Sequence, residues 1–183
     1  MRLYCLSHFM LSGMAKGIQP QHSTVNLFKK YVPNPSNNEE VTVIEPVDPC
    51  DMLWDWALNH ETIVSLNGGI TPELMDMIEF LEYDNCPYPW AYFREDESLG
   101  ELVTSISLVL PERIYDTASL IRTKTVRLDG NVIKPLNWDY YNENFIMYKY
   151  IELENTCLRY GEFSEFEINL INRMNTYRLA TTI

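Results

Sequence analysis

The stretch "RLYCLSHFMLSGMAKGIQPQHSTVNLFKKY", Arg2 to Tyr31, contains two hydrophobic periodicities, one after the other. Its first part, residues 2–9, is rich in aromatic and apolar residues and ends before the Ser12-Gly13 pair, which predicts a β-strand. The part that follows has the spacing of an amphipathic helix. A strand that leads at once into a helix favours an α/β fold.

The helix of this stretch is expected to begin at about Gly17. Pro20 would then lie in the first turn, where its missing N–H and fixed φ are tolerated. The residues predicted to face the core recur at helical spacing: Ile18, Val25, Phe28 and Tyr31. The sequence therefore predicts that these apolar residues pack the helix on a sheet.

Further elements follow in a mixed order of helices and strands. Asp48-Pro49 has the pattern of an N-cap and first helical position, with Leu53, Trp54, Ala57 and Leu58 facing inward. A helix begins at Thr71-Pro72-Glu73 and carries Leu74, Ile78 and Leu81 on one face. Four segments are predicted to share one small mixed sheet flanked by helices: Leu3–Phe9, Thr62–Leu66, Ala91–Arg94 and Ser105–Leu110.

The character of the chain changes after residue 111. Asp129-Gly130 between apolar residues predicts a hairpin. Ser164 and Glu167 have the spacing of a capping box before a final helix. We expect an α/β domain over residues 1–111 and a C-terminal α+β extension over residues 112–183.

The composition bounds the class of protein. A chain of 183 residues with 46% hydrophobic residues can bury a core, and it contains no apolar run of the length of a membrane span. The four cysteines are far apart and include no C-x-x-C pair, so we expect reduced thiols, no metal site and no cofactor. No signal peptide is expected, and the predicted location is the cytoplasm.

Charge is distributed unevenly along the chain. Residues 1–111 contain 16 acidic and 5 basic residues, a net charge of −11, whereas residues 112–183 have a net charge of −1. An acidic surface repels nucleic acid phosphates, so the charge disfavours tRNA as a partner. It is consistent with solubility alone or with binding to a protein that has a basic surface.

Three motifs resemble the archaeal and eukaryotic type of peptidyl-tRNA hydrolase over about residues 1–111. They are "KGIQPQH", in which Gln19 precedes His22 by three residues, "NHETIVSLNGG" followed by "TPELMDMIEFLE", and "AYFREDES" leading to "SISLVLP". The resemblance implies a small mixed sheet flanked by helices. It also implies an enzyme that cleaves the ester between a peptide and its tRNA.

The sequence departs from that family at residues that carry its chemistry. The family's lysine before the glycine turn falls on Met10, and its Asp-Ala-Gly turn is replaced by "EDES". If the chain is an enzyme, Lys16, His22 and Asp96 are the candidate catalytic residues, with Lys16 replacing the missing lysine in acid–base work on an ester. This esterase reading is the alternative hypothesis.

The favoured hypothesis is a non-catalytic or impaired binding or inhibitor protein on the hydrolase-like fold. A small nucleotide-like or peptidyl ligand would bind at the first helix, through His8, Gln19, Gln21 and His22. A basic host protein, such as a nuclease or defence effector, would instead bind the carboxylate run Glu95, Asp96 and Glu97. The acidic composition, rich in Tyr, Met and Asn, resembles that of small accessory proteins of tailed phages, which would place the protein in the host cytoplasm.

Overall fold

The computed structural model describes residues 1–32, 48–83, 85–95, 100–122, 126–129, 132–135 and 163–180. The chain forms two compact units. The first comprises Met1–Leu110 together with the C-terminal segment that begins at Arg178, and the second comprises Pro111–Tyr177. The loop predicted at "VPNPSNNEE" lies outside the described residues.

The first unit is built on a five-stranded mixed sheet. Its strands are β1 (Arg2–Ser7), β2 (Ile63–Asn67), β3 (Trp90–Arg94), β4 (Val103–Leu110) and β7 (Arg178–Leu179). Their order in the sheet is β3-β4-β1-β2-β7. Strands β1 and β2 are parallel, and the other neighbouring pairs are antiparallel. The prediction that the four N-terminal strand segments share one mixed sheet is confirmed, and the fold class is α/β.

Helices cover both faces of this sheet. They are α1 (Gly13–Tyr31), α2 (Pro49–Asp55), which continues into a π-helical turn (Trp56–His60), and α3 (Thr71–Tyr83). Alternation along β1 sends Leu3 and Cys5 to the face that packs against Leu27 of α1 and Leu53 of α2. Leu6 faces the other way.

Helix α3 buries the face that its sequence predicted. Leu74, Ile78 and Leu81 are all buried. Gly68 lies at the turn before α3, where an added Cβ would be 2.7 Å from the Leu74 Cδ2 atom. This close approach explains why a glycine precedes the helix.

The start of α1 and half of its inward face were predicted wrongly. The helix begins at Gly13, so Pro20 lies in its interior rather than in its first turn. Phe28 and Tyr31 pack against the core as predicted, but Ile18 and Val25 are exposed. The buried residues of the helix are Gln19, Pro20, Ser23 and Leu27. The sheet offers serine hydroxyls under this helix, and hydrogen bonds to them turn a polar face inward.

The prediction for α2 is correct at its start and wrong at its end. Asp48 caps the helix by accepting a hydrogen bond from the Cys50 N–H at 2.9 Å. Trp54 and Leu58 are exposed, whereas Trp56 is buried. In the π-helical turn each N–H bonds to the carbonyl five residues earlier, rather than four as in an α-helix. The extra residue per turn changes which side chains face the core.

The second unit contains α4 (Glu112–Arg122), β5 (Val126–Asp129), β6 (Val132–Pro135) and α5 (Glu165–Thr176). Strands β5 and β6 pair in antiparallel register on either side of the predicted turn. The capping box at Ser164 is confirmed, because the Ser164 and Glu167 side chains each accept a hydrogen bond from the other's backbone N–H. Arg113 of α4 forms an ion pair with Glu167 of α5.

Candidate functional site

Helix α1 lies on the sheet and separates two surfaces. On one side it contacts the edge strand β3, where Asn26 Nδ2 donates to the Tyr92 carbonyl at 2.9 Å and Lys30 Nζ donates to the Trp90 carbonyl at 3.2 Å. On the other side it faces β1 and β2, which lie farther along the sheet. The two sides of α1 therefore present different residues to different strands.

A groove of about 570 Å³ lies between the first half of α1 and strands β1 and β2. Small-molecule sites have volumes of roughly 300–1,000 Å³, so the groove is large enough for a ligand of that class. The residues of α1 that line it are Gly13, Lys16, Gly17, Pro20, Gln21 and Thr24. The remaining lining residues are Cys5, Phe9, Leu11, Ile63, Ser65 and Ala180.

The N-terminal end of α1 makes one end of the groove electropositive. Ser12 caps the helix by accepting a hydrogen bond from the Ala15 N–H at 3.2 Å, and the first turn contains no acidic residue to neutralise the helix dipole. Lys16 Nζ lies 5.4 Å from the centre of the Phe9 ring. Lys16 and the helix end together favour an anionic group.

The floor of the groove suits binding rather than covalent chemistry. Burial raises the pKa of the Cys5 thiol, whose Sγ lies 3.6 Å from the Ser107 Oγ. The thiol therefore stays protonated at neutral pH and is a poor nucleophile. Ile63 adds an exposed apolar side chain to the lining, and Ser65 adds a hydroxyl group. The groove therefore offers both apolar and polar contacts to a ligand.

A layer of buried polar groups fixes α1 on the sheet next to the groove. Ser23 Oγ lies 2.7 Å from Ser107 Oγ and accepts a hydrogen bond from Ser105 Oγ at 3.0 Å. Ser105 Oγ is also 2.8 Å from the Gln19 carbonyl, and Ser107 Oγ is 3.4 Å from the Pro20 carbonyl. These directional contacts set the rotation of α1 and with it the wall of the groove.

Gln19, predicted as a ligand-binding residue, is buried in this layer and lies outside the groove lining. Its Nε2 donates a hydrogen bond to the Glu95 carboxylate, and its Oε1 accepts one from Thr104 Oγ1 at 3.1 Å. Glu95 is consequently held against α1 rather than fully solvated. The other two predicted partner-binding residues, Asp96 and Glu97, lie outside the described residues.

The structure does not bring Lys16 and His22 together. His22 is exposed and stacks on Phe93 of β3, with ring centres 4.5 Å apart and an angle of 20° between the rings. Lys16 lines the groove on the opposite side of α1, next to the predicted ligand-binding residue Gln21. Asp96, the third candidate catalytic residue, is not among the described residues.

His8 lies at the end of β1 but contacts α3 rather than Gln19. Its Nδ1 accepts a hydrogen bond from the Met10 N–H at 3.2 Å, and its Nε2 is 3.4 Å from Thr71 Oγ1. Burial lowers the pKa of His8, an effect that the negative charge of Glu73 opposes. His8 is a buried histidine in the neutral form at physiological pH, and it does not line the groove.

Reasoning from sequence missed the part of the groove formed by the sheet. The two-residue alternation of Ile63 and Ser65 along β2 could have indicated that they share a face. No feature of the sequence around Ala180 indicates that it lines the groove. Ala180 belongs to the C-terminal segment, and its N–H donates to the Ser65 carbonyl at 3.0 Å. Thr24 was missed because α1 was expected to present a different face.

No protein-family model matches the chain, and no curated protein is significantly similar to it. Within the described part of the chain, none of the helices is long and apolar enough to cross a membrane. The same residues include no group of three or more His, Cys, Asp or Glu side chains that could hold a metal ion.

Proposed function

We propose that the protein is a non-catalytic ligand-binding protein on a hydrolase-like α/β fold. The groove beside α1 binds a small peptidyl ligand through an anionic group. The observation that carries this proposal is the position of Lys16, which lines an open, mostly apolar groove at the N-terminal end of α1.

The arrangement of the candidate catalytic residues supports binding over catalysis. General acid–base catalysis requires the participating groups to be within hydrogen-bond reach of the same substrate atoms. Lys16 and His22 lie on opposite sides of α1, and both ends of the Gln19 amide are engaged by Glu95 and Thr104. The buried Cys5 thiol is protonated and so does not supply a nucleophile.

The lining defines the chemistry of the ligand. A carboxylate fits the positive end formed by Lys16 and the first turn of α1. Apolar side chains of the ligand fit against Phe9 and Ile63, while Gln21 offers hydrogen bonds to its amide groups. A short peptide with a free C-terminal carboxylate combines these three features.

The test compares a carboxylate probe with its neutral counterpart. We expect N-acetyl-Leu-Phe to bind the wild-type protein about tenfold more tightly than N-acetyl-Leu-Phe amide, measured by isothermal titration calorimetry. Lys16→Met should remove this preference because it removes the positive side chain from the groove. Lys29→Met is the matched control, since Lys29 is an exposed lysine of α1 outside the groove lining.

Equal affinity for the two probes, or an equal loss in both variants, would overturn the anion-binding role of Lys16. We also expect purified protein to leave peptidyl-tRNA intact. Cleavage of peptidyl-tRNA that is lost in Lys16→Met or Asp96→Ala would instead establish the esterase alternative.

A further inference from the structure

The turn that joins β1 to α1 is held by hydrogen bonds, and one of them ends on a titratable side chain. The Met10 N–H donates to His8 Nδ1 at 3.2 Å, and the Leu11 N–H donates to the His8 carbonyl at 3.3 Å. The Phe9 N–H donates to the Gly69 carbonyl at 2.6 Å. The His8 side chain is therefore one of the groups that fix the backbone of this turn.

The hydrogen bond from Met10 requires the neutral form of the His8 ring. A histidine nitrogen accepts a hydrogen bond only while it carries no proton. Because Nδ1 is the acceptor, the hydrogen bonds assign the ring proton to Nε2, which lies 3.4 Å from Thr71 Oγ1. A second proton on Nδ1 would point at the N–H of Met10, and the bond between them would be lost.

The surroundings of His8 favour the neutral ring at pH 7. His8 is 6% exposed, and burial lowers its pKa. Glu73 of α3 opposes this effect with its negative charge, whereas the Thr104 carbonyl of β4 and the Thr71 hydroxyl are uncharged. Protonation therefore places a positive charge on a buried ring whose Nδ1 has a donor in front of it.

The same turn forms one end of the groove beside α1. Phe9 and Leu11 line the groove, and Lys16 Nζ lies 5.4 Å from the centre of the Phe9 ring. Ser12, which caps α1, follows Leu11 directly. A displacement of the turn therefore changes both the apolar lining and the positive end of the groove.

We propose that His8 is a pH switch for the groove, in which protonation of Nδ1 breaks the hydrogen bond from Met10, displaces the turn and weakens ligand binding. This inference rests on the proposed function, since it concerns regulation of the same site. The neutral ring keeps Phe9 and Leu11 in the positions that bind the ligand. Because linkage is reciprocal, a ligand that prefers this form also makes His8 harder to protonate.

The first test measures the affinity for N-acetyl-Leu-Phe by isothermal titration calorimetry at pH 7.5 and pH 5. The carboxylate of the probe stays ionised over this range. We expect the wild type to bind about fivefold more weakly at pH 5. His8→Asn should bind as the wild type does at pH 7.5 and lose the pH dependence, because the asparagine Oδ1 accepts from the Met10 N–H and does not titrate.

His60→Asn is the control for the first test. His60 pairs with Asp55 at the end of the π-helical turn and does not line the groove, so this variant should keep the pH dependence of the wild type. Wild-type affinity that is equal at the two pH values, or that falls equally in His8→Asn, would overturn the switch.

The second test uses the free protein and needs no ligand. Amide ¹H–¹⁵N spectra of the wild type are recorded between pH 7.5 and pH 5 together with the ring resonances of His8. We expect the amides of Phe9, Met10 and Leu11 to shift along the titration curve of the His8 ring. A ring that stays neutral down to pH 5, or a Met10 amide that does not follow it, would overturn the switch even if His8→Asn fails to fold.

The two tests also separate the switch from the ligand-binding proposal. A probe that does not bind at pH 7.5 overturns ligand binding and its regulation together. A probe that binds through Lys16 with the same affinity at both pH values overturns the switch alone. Affinity that falls with the titration of His8 supports both.

Discussion

At the scale of single residues, hydrogen bonds between hydroxyl groups hold α1 on the sheet. In most helix–sheet interfaces apolar contacts have this role. Ser23 is fully buried and has hydroxyl partners on β4 as well as the Pro20 carbonyl of its own helix. A buried hydroxyl without partners would cost about 1–3 kcal/mol. Ser23 is satisfied, and its bonds specify one rotation of α1 rather than a range.

His8 gives the stability of the protein a dependence on pH. Burial lowers its pKa in the folded state, with Glu73 acting in the opposite direction. The unfolded chain, in which histidine titrates near pH ~6.5, then binds more protons than the folded chain as the pH falls. The stabilisation from neutral His8 is therefore present above the unfolded pKa and decreases as the pH drops through it.

We predict that His8→Gln reduces the change in the free energy of unfolding between pH 7.5 and pH 5. The measurement is urea denaturation at both pH values for the wild type and the variant. His60→Gln serves as the comparison, because His60 is about half exposed and paired with Asp55. An equal pH dependence in wild type and His8→Gln would show that His8 protonates with no cost in the folded state.

At the scale of elements, two glycines differ in the space that surrounds them. Gly17 lies within α1, and an added Cβ would meet no atom within 4 Å. Gly68 lies between β2 and α3, where the Cβ would be 2.7 Å from Leu74 Cδ2 and 3.0 Å from Leu6 Cβ. The first position has room for a side chain, and the second does not.

We predict opposite effects for alanine at these two positions. Gly17→Ala should stabilise the protein by about 0.5–1 kcal/mol, because alanine loses less backbone entropy in a helix. Gly68→Ala should destabilise it by roughly 1–3 kcal/mol through overpacking against α3. The two variants are compared by urea denaturation, and a stabilising Gly68→Ala would contradict the close approach of Leu74.

Strand β3 is an edge strand whose outward backbone groups are covered by α1. The Trp90 carbonyl accepts a hydrogen bond from Lys30, and the Trp90 N–H donates to the Tyr31 hydroxyl at 3.4 Å. The Tyr92 carbonyl accepts a hydrogen bond from the Asn26 side-chain amide. These side chains remove positions at which another strand could add to the sheet.

At the scale of the whole molecule, the sheet is completed by the end of the chain. Strand β7 pairs with β2 through Leu66 with Leu179 and Asn67 with Arg178, and Ala180 bonds to Ser65. The unit that contains the sheet therefore includes residues on both sides of the second unit in sequence. A fragment that ends at residue 111 would lack this strand.

We predict that truncation after Tyr177 weakens β2. The free energy of unfolding should fall by about 1–2 kcal/mol as the hydrogen bonds to β7 are lost. Hydrogen exchange should become faster in β2, while β1 changes less because β4 and β2 flank it on both sides. Truncation after Ala180 keeps β7 and is the control, and equal exchange in both truncated proteins would contradict a contribution from β7.

The sequence by itself determined most of the elements of the first unit, the class of its fold and the start of the last helix of the second unit. Periodicity located β1 and α3, the Asp48-Pro49 pair marked the start of α2, and Ser164 marked the start of α5. These features depend on local backbone preferences and on burial of one face, which neighbouring residues specify. The mixed sheet followed from their order.

Only the tertiary structure decided which face of α1 is buried and where the groove lies. Hydrogen bonds from β4 serines turned Gln19 and Ser23 inward and left Ile18 and Val25 exposed, against the hydrophobic pattern. That rotation directed His22 toward Phe93 of β3 and placed Lys16 in a groove completed by Ala180. Such contacts join residues that are far apart in the chain. The sequence near a helix therefore does not specify which distant hydroxyl groups will form hydrogen bonds with it.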